Sequence, residues 1–440
     1  MKTIVHYCTL FLVISICIPG RALGQNWADS LTSDQRFWGT SGGTARELAL
    51  GAGGFGMLAD TAGIKTVGVN PYSLDPQFML MNPAYAARYK SYLWFDAGLT
   101  STDVGQDYGG TFALSEHVTG GLILARSDAV GFSLINPNLF GQMTSAFSGM
   151  KIAPPANTWQ VMGAYAADGL DVGLAFSYMS STASSTAQSP SDTSSRSATV
   201  HQIGISGGAL YRGDDGMLMD LGATVLLPLA RSSVQNGTVS MTAIAINARM
   251  FIPIQPEFYL VPIVNAYVNS GKSTILATPK DLPSGSNYDV GIGVNFWRGG
   301  VHVTSGVSMG IYSQTQPALA NFSPSLTSSQ FVFPRWNIGA EWPALKWLRL
   351  RLGYFASSGS GKQEFKLNAS TAASRSQGFA NVYSPFYAGS GNASGLTVGA
   401  GFDLGHFNID ATVTTSALHS PLSIFQTGPL SFVTMSYRFE

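Results

Sequence analysis

The chain is poor in most of what soluble enzymes are built from. It has two cysteines, Cys8 and Cys17, and both lie in the first 24 residues. If that stretch is removed on export, the remaining chain has no thiol, which excludes disulfides, cysteine metal centres and thiol catalysis. Only 11% of its residues are charged, against roughly 25% in ordinary soluble domains. The signs balance: 24 basic residues less Lys2 and Arg21 leaves 22, facing 24 acidic ones. No basic footprint for nucleic acid is present. No H-E-x-x-H or Asp/Glu/His cluster marks a metal site, so neither metal nor other cofactor is expected. Beyond the N-terminal stretch there is no run of ~18 apolar residues, which excludes spanning helices.

The chain is rich in short-period alternation. Leu170, Val172, Leu174, Phe176 and Tyr178 alternate with Asp171, Gly173, Ala175 and Ser177. Tyr288, Val290, Ile292, Val294 and Phe296 alternate with Asp289, Gly291, Gly293 and Asn295. Successive strand residues point to opposite faces, so each such segment has one apolar face and one of small or polar residues. With low charge, 50 glycines and 25 phenylalanines, this predicts an all-β fold, a transmembrane antiparallel barrel whose apolar face meets lipid. A secreted β-sandwich or propeller is the competing class, and no blade repeat supports it.

Residues 1–24 read as a signal peptide. Lys2 supplies the positive end, Leu10–Ile18 the apolar core, and Ala22-Leu23-Gly24 the small-x-small cleavage site. Ile16 before Cys17 argues against lipidation. Residues 25–90 are irregular and glycine-rich, with short helices expected near Thr44–Leu50 and Gln77–Ala87, and residues 91–440 form the barrel. Tight turns are expected near Glu116-His117, Ala167–Gly169, Gly213–Gly216, Pro253–Pro256, Arg298–Gly300, Trp342–Ala344 and Gly405, alternating with long polar loops at Thr182–Ser197, Ser313–Ser329 and Ser357–Ser390. Seven hairpins give fourteen strands; an opening strand near Ser91–Thr100 and a closing one near Ser431–Phe439 would make sixteen, so the expected range is 14 to 16. The closing strand alternates Val433, Met435, Tyr437 and Phe439 with polar residues, the signal that outer-membrane assembly machinery reads, although Glu440 follows the aromatic. Trp159, Trp297, Trp336, Trp342 and Trp347 are candidates for interfacial girdles.

Several motifs look chemical. Gly51-Ala52-Gly53-Gly54-Phe55-Gly56 matches the dinucleotide fingerprint, but no buried strand precedes it. Gly204-Ile205-Ser206-Gly207-Gly208 matches a nucleophile elbow, but lies within an alternating strand where that strained turn cannot form. His302 with Thr304 or Ser305 is the nearest imitation of a catalytic pair. Five histidines spread over the mature chain make chance the better account, and no enzyme is expected. The polar face carries isolated charges at Asp171, Asp220, Asp289, Arg349, Arg351, Asp403 and Asp410. Arg349 and Arg351 alternate with leucines and so point inward, where a charge needs partners. Asp171 and Asp403 are candidates for that lumenal network. It can brace the wall or meet a solute, and the sequence leaves both open.

The segment Leu48–Tyr89 carries a family likeness. A glycine-rich run, Gly51–Met57, leads through Asp75 and Pro76 to Asn82-Pro83-Ala84-Tyr85-Ala86-Ala87, just before the first long strand. This resembles the N-terminal hatch of the FadL-like long-chain fatty acid transporter (TodX) group of outer-membrane barrels and its PorV-type relatives. Tyr85 stands where that group commonly has glycine, and only Asn82, Pro83 and Ala84 are carried over. Physically, proline holds Asn82 extended, and its side chain is placed to cap the Tyr85 or Ala86 amide.

The resemblance implies a 14-stranded barrel with a hatch in a Gram-negative outer membrane, embedded in outer-membrane lipid. It also implies passive passage of a hydrophobic, fatty-acid-like ligand. The rival expectation is a PorV-type barrel that binds a secretion-system partner, and the third is a structural outer-membrane protein.

Overall fold

In the computed structural model the described residues are 42–52, 58–59, 64–65, 70–98, 106–124, 159–186, 195–213, 215–233, 236–275, 278–316, 325–366, 374–379, 393–413 and 430–439. The expected signal peptide and Gly53–Met57 lie outside them.

The wall is a closed antiparallel barrel of sixteen strands. They are β1 (Tyr92–Gly98), β2 (Gln106–Ala113), β3 (Val118–Leu124), β4 (Trp159–Ala166), β5 (Leu170–Thr186), β6 (Ser195–Arg212), β7 (Leu218–Ser232) and β8 (Thr238–Gln255). The circuit continues with β9 (Phe258–Ile275), β10 (Thr278–Asp281 and Ser284–Arg298), β11 (Val301–Gln316), β12 (Ser325–Leu345), β13 (Leu348–Lys366), β14 (Ser374–Phe379 and Ala393–Leu404), β15 (Phe407–Val413) and β16 (Leu430–Arg438). β10 and β14 are each one strand in two pieces, both pieces pairing with the same neighbour. β16 closes on β1, from Phe432 opposite Gly98 to Arg438 opposite Tyr92. The family resemblance implied fourteen strands; the hairpin count plus opening and closing strands reaches the observed sixteen.

Burial is inverted relative to a soluble sandwich. In β5, Leu174 is 69% exposed while Asp171 is fully buried, and apolar residues such as Tyr288, Val290 and Ile292 face outward all round the wall. An apolar exterior on a closed wall is what lipid requires, because no backbone group is left unpaired. Aromatics cluster in pairs on the outer face at the short-turn rim: Phe258 with Phe296, Trp347 with Phe402, and Tyr437 with Phe439. Phe439 also packs on Phe112. Trp297 departs from the girdle expectation. It shares the parity of Gly293 and Asn295, turns inward, and stacks on His302 at 3.8 Å.

Three local expectations are corrected. The polar stretches expected as long loops are in part strand: β5 runs to Thr186, β6 starts at Ser195, and β12 is 21 residues long. A membrane crossing needs about 9–11 residues, so these ends stand clear of lipid, where neither face needs apolar residues and alternation disappears. The turn expected at Trp342–Ala344 falls instead after Leu345, because a register shift between Pro343 and Leu345 lets the strand carry its proline. The helix expected over Gln77–Ala87 is two 3-10 turns, Pro76–Leu80 and Pro83–Ala87. Asn82 separates them, and its side chain caps the Ala84 amide rather than Tyr85 or Ala86. The short helix Thr44–Ala49 forms close to where it was expected.

Candidate functional site

Residues 42–52 and 70–90 touch inward-pointing side chains of strands all round the circuit, so they lie within the barrel. Three glycine rows explain how a backbone can approach the wall so closely. Gly173, Gly208 and Gly222 are consecutive partners across β5, β6 and β7, and Asn82-Pro83-Ala84 lies on them. A Cβ at Gly208 would stand 1.8 Å from Asn82 Oδ1, and one at Gly173 would stand 2.4 Å from the Ala84 nitrogen. The second row, Gly291, Gly293 and Gly306 of β10 and β11, receives the Tyr72 ring, which a Cβ at Gly306 would meet at 2.2 Å. The third, Gly339, Gly353 and Gly399 of β12–β14, receives Ala49, Leu50 and Gly51. Gly51, with φ +77°, adopts a left-handed turn that favours glycine.

Each seat is flanked by buried charge. Beside the first, Asp220 of β7 accepts from Asn82 Nδ2 at 2.6 Å, from the Tyr85 hydroxyl at 2.7 Å and from Arg249 Nε at 2.6 Å. Arg249 of β8 also donates to the Pro71 and Ser73 carbonyls and lies 3.4 Å over the Phe78 ring. Beside the third seat, Arg46 is wholly enclosed. It reaches Glu341 and Asp75 at 3.1 Å each, Glu47 at 3.5 Å and His302 Nδ1 at 3.3 Å. Glu341 is also held by Arg351 at 2.5 Å, Arg351 by Asp410 at 2.6 Å, and Arg349 by Asp403 at 3.3 Å. Removing such charges from water costs several kcal/mol per ion unless each is paired. These networks supply that pairing, and each ties residues 42–90 to the wall.

Arg46 is the guanidinium shared by Glu47 and Asp75. Burial pushes the Glu47 carboxyl up to about 8, the neighbouring Asp75 adding to the rise and Arg46 opposing it. Burial also raises Asp75 above the usual carboxylate range. Glu47 is further bonded by the Ser73 hydroxyl and the Asn70 amide.

Of the network expected from sequence, Arg349, Arg351 and Asp403 come together through Glu341. Asp171 does not join them. It lies on β5, where Arg88 forks onto it at 2.5 and 2.7 Å and Arg212 approaches at 3.3 Å. Sequence reasoning missed Arg46, Glu47, Arg88, Arg249 and Glu341. For Arg249 the signal was available, since it occupies an inward position of an alternating strand. Ser206 is bonded to Thr224 at 2.7 Å, and Thr304 accepts from Asn70 at 2.9 Å, so both hydroxyls serve wall and segment contacts.

Between segment and wall lies an apolar cluster. Leu74, Phe78, Met79, Leu80 and Met81 of the segment meet wall residues that include Trp94, Ile123, Met162, Leu210, Phe251 and Ile263.

No family model matches the chain, and no curated protein is similar to it. Among solved structures, the P. putida toluene transporter TodX is similar at 12% identity, covering 87% of this chain and 100% of that one, with a TM-score of 0.34. The FrpB iron transporter from Neisseria meningitidis (F5-1 variant) is similar at 10% identity, covering 89% and 87%, with a TM-score of 0.36. CdiB from Acinetobacter baumannii is similar at 9%, covering 79% and 60%, also at 0.36. At these scores the likenesses assign no function.

Proposed function

We propose that the protein is an outer-membrane barrel through which small hydrophobic molecules pass inward passively, with residues 42–90 as the hatch. The observation that carries this is the apolar cluster inside the barrel: wherever the segment withdraws, an apolar lumenal wall of Trp94, Ile123, Met162, Phe251 and Ile263 is uncovered. The fastening is entirely non-covalent among the described residues, through hydrogen bonds, ion pairs and close packing on glycine, so withdrawal breaks no bond that cannot reform. The sequence likeness of Leu48–Tyr89 to the FadL-like hatch supports the same solute class, and TodX, described as a toluene transporter, is an instance of it. Labelled oleate uptake in a host lacking its own fatty-acid porter tests the proposal. Uptake above empty vector is expected, changed by deletion of residues 51–87; no uptake above vector overturns it.

The second reading is a barrel that holds a secretion partner. The density of buried ion pairs around Arg46 favours it, since a segment bolted at so many points suits a rigid anchor. Co-purification of a secretion component without oleate uptake is the outcome that reading expects.

A further inference from the structure

Toward the end opposite the short turns, the outer face of the wall changes character. Ile244 of β8 pairs with Val268 of β9, and Tyr288 of β10 with Ile311 of β11. All four face outward, each 38–49% exposed. Beyond them the same outward rows carry Ser240, Thr242, Ser270, Lys272, Ser284 and Thr315. Successive strand residues advance about 3.3 Å and barrel strands tilt by about 35–45°. Ser270 and Lys272, two and four residues past Val268, therefore stand roughly 5 and 10 Å above the apolar edge. The headgroup layer is about 5–8 Å deep on each side of the hydrocarbon core. These polar residues lie at headgroup height.

At that height the wall is not flush. Lys272 pairs with Asp281, but Asn269 pairs with Gly285, so Leu282, Pro283 and Ser284 of β10 span only Ser270 and Gly271 of β9. One extra residue is a β-bulge, which bends the strand that carries it. Leu282 and Pro283 are buried at the bulge, while Asp281 and Ser284 on either side keep to the outward face. Here a cavity of about 460 Å³ opens on the outside of the wall, with Ser240, Thr242, Ser270, Lys272, Asp281 and Ser284 in its lining. That volume is within the range of small-molecule sites. The first five of these residues are exposed, so a ligand reaches them without disturbing the fold. Lys272 and Asp281 face each other in register, yet neither forms an ion pair among the described residues. The cavity thus presents a cation and an anion side by side, with hydroxyls around them.

We propose that this outward cavity binds the headgroup of a phosphoethanolamine lipid, with its phosphate on Lys272 and the Ser240, Thr242 and Ser270 hydroxyls and its ammonium on Asp281. Height selects a membrane lipid over a soluble ligand, because the acyl chains of a lipid seated here lie on Ile244 and Val268 directly beneath. The two unlike charges select a zwitterion: an anionic headgroup leaves Asp281 unmatched, and a cationic one leaves Lys272 unmatched. Side chains directly opposite on neighbouring strands stand about 4.5–5.5 Å apart, a separation that a phosphate and an ammonium joined through two carbons can bridge. Both contacts are charge-assisted hydrogen bonds, the stronger class. The site is outside the barrel, so its occupancy rests on the wall's embedding in lipid and not on the passage of any solute.

Native mass spectrometry of the full chain in detergent micelles, titrated with phosphatidylethanolamine, tests this. Phosphatidylglycerol and phosphatidylcholine are the rival lipids, and glycerophosphoethanolamine is the soluble rival. One phosphatidylethanolamine is expected to bind saturably and more tightly than every rival; choline lacks the N–H that Asp281 would accept. Lys272→Ala and Asp281→Asn should each weaken it about tenfold, the equivalent of one hydrogen bond to a charged group. Asp281→Asn should also erase the preference over phosphatidylglycerol. Arg231→Ala is the control, since it removes an exposed cation of β7 that does not line the cavity, and it should leave binding unchanged. Heat-modifiable migration on gels selects the variants that fold. The proposal is overturned if phosphatidylethanolamine does not saturate, or if any rival binds as tightly. It is equally overturned if folded Lys272→Ala and Asp281→Asn bind as the wild type does, or no worse than Arg231→Ala.

Discussion

The two sides of the barrel hold the same segment by different chemistry. On the β5–β8 side, Asn82-Pro83-Ala84 lies on a glycine row between two separate ion-pair clusters, Arg249 with Asp220, supported by Tyr85 and the Phe78 ring, and Arg88 with Asp171. On the β11–β16 side, Ala49–Gly51 lies on the third glycine row beside a mesh in which Arg46, Arg349 and Arg351 share Glu341 and reach further acids. In the first, Asp220 has Arg249 as its single cation among the described residues. In the second, Glu341 has spare cations, and burial holds the Glu47 carboxyl above the usual range.

The largest effect should come from removing the single cation of the first anchor. Arg249→Ala strips Asp220 of its buried cation, and losses of that kind run to about 3–5 kcal/mol. Urea unfolding followed by gel migration should show a larger drop in midpoint than Arg349→Ala, which leaves Glu341 with Arg46 and Arg351 and frees only the partly exposed Asp403. Equal drops would erase the contrast. Next in size, Gly208→Val should force Asn82 off its seat, at about 1–3 kcal/mol for overpacking. The neighbouring Gly207→Val is the control, because its Cβ would meet only the tip of Leu174 at 3.6 Å. Thiol labelling of Asn82→Cys should rise in the first background and not in the second.

The smallest effect is the most specific. Glu47 has a folded value of about 8 against an ordinary 4.5, so the folded state holds its proton more tightly than the unfolded one. That preference contributes stability which is fully present below about pH 4.5 and is lost as pH rises through 8. Glu47→Gln carries the neutral form at every pH and should flatten the decline between pH 4.5 and 8. A profile identical to the wild type would remove Glu47 as its source.

Much of the wall was legible in the chain, because lipid imposes period-2 alternation on every strand it touches. Where lipid ends the signal ends, which is why the Ser/Thr-rich ends of β5, β6 and β12 read as loops. Lumenal placement was legible for Arg349 and Arg351 from parity alone, but their partner was not. Glu341 precedes Trp342-Pro343, which read as a turn, and only the register shift at Pro343 keeps it in the wall. The glycine rows were invisible for a different reason. Gly173, Gly208 and Gly222 become a seat only when register aligns them, and register between distant strands is not written in any one of them. The same holds for Arg46 and Asp75, which lie 29 residues apart on an irregular stretch.

The central claim is that a segment inside the barrel, non-covalently seated, must leave its seat for solute to pass. A Cβ at Gly222 would stand 3.4 Å from that of Asn82 and 2.6 Å from the Met81 carbonyl oxygen, so with a small shift of Met81 the pair comes close to the ~3.8 Å typical of a disulfide, and the exported chain is expected to contain no competing thiol. The decisive measurement is oleate uptake by Asn82→Cys/Gly222→Cys, oxidised and then reduced. We expect the cross-link to form within one chain, uptake to stop while it is closed, and uptake to return on reduction. Uptake that proceeds unchanged through the closed cross-link would contradict the account.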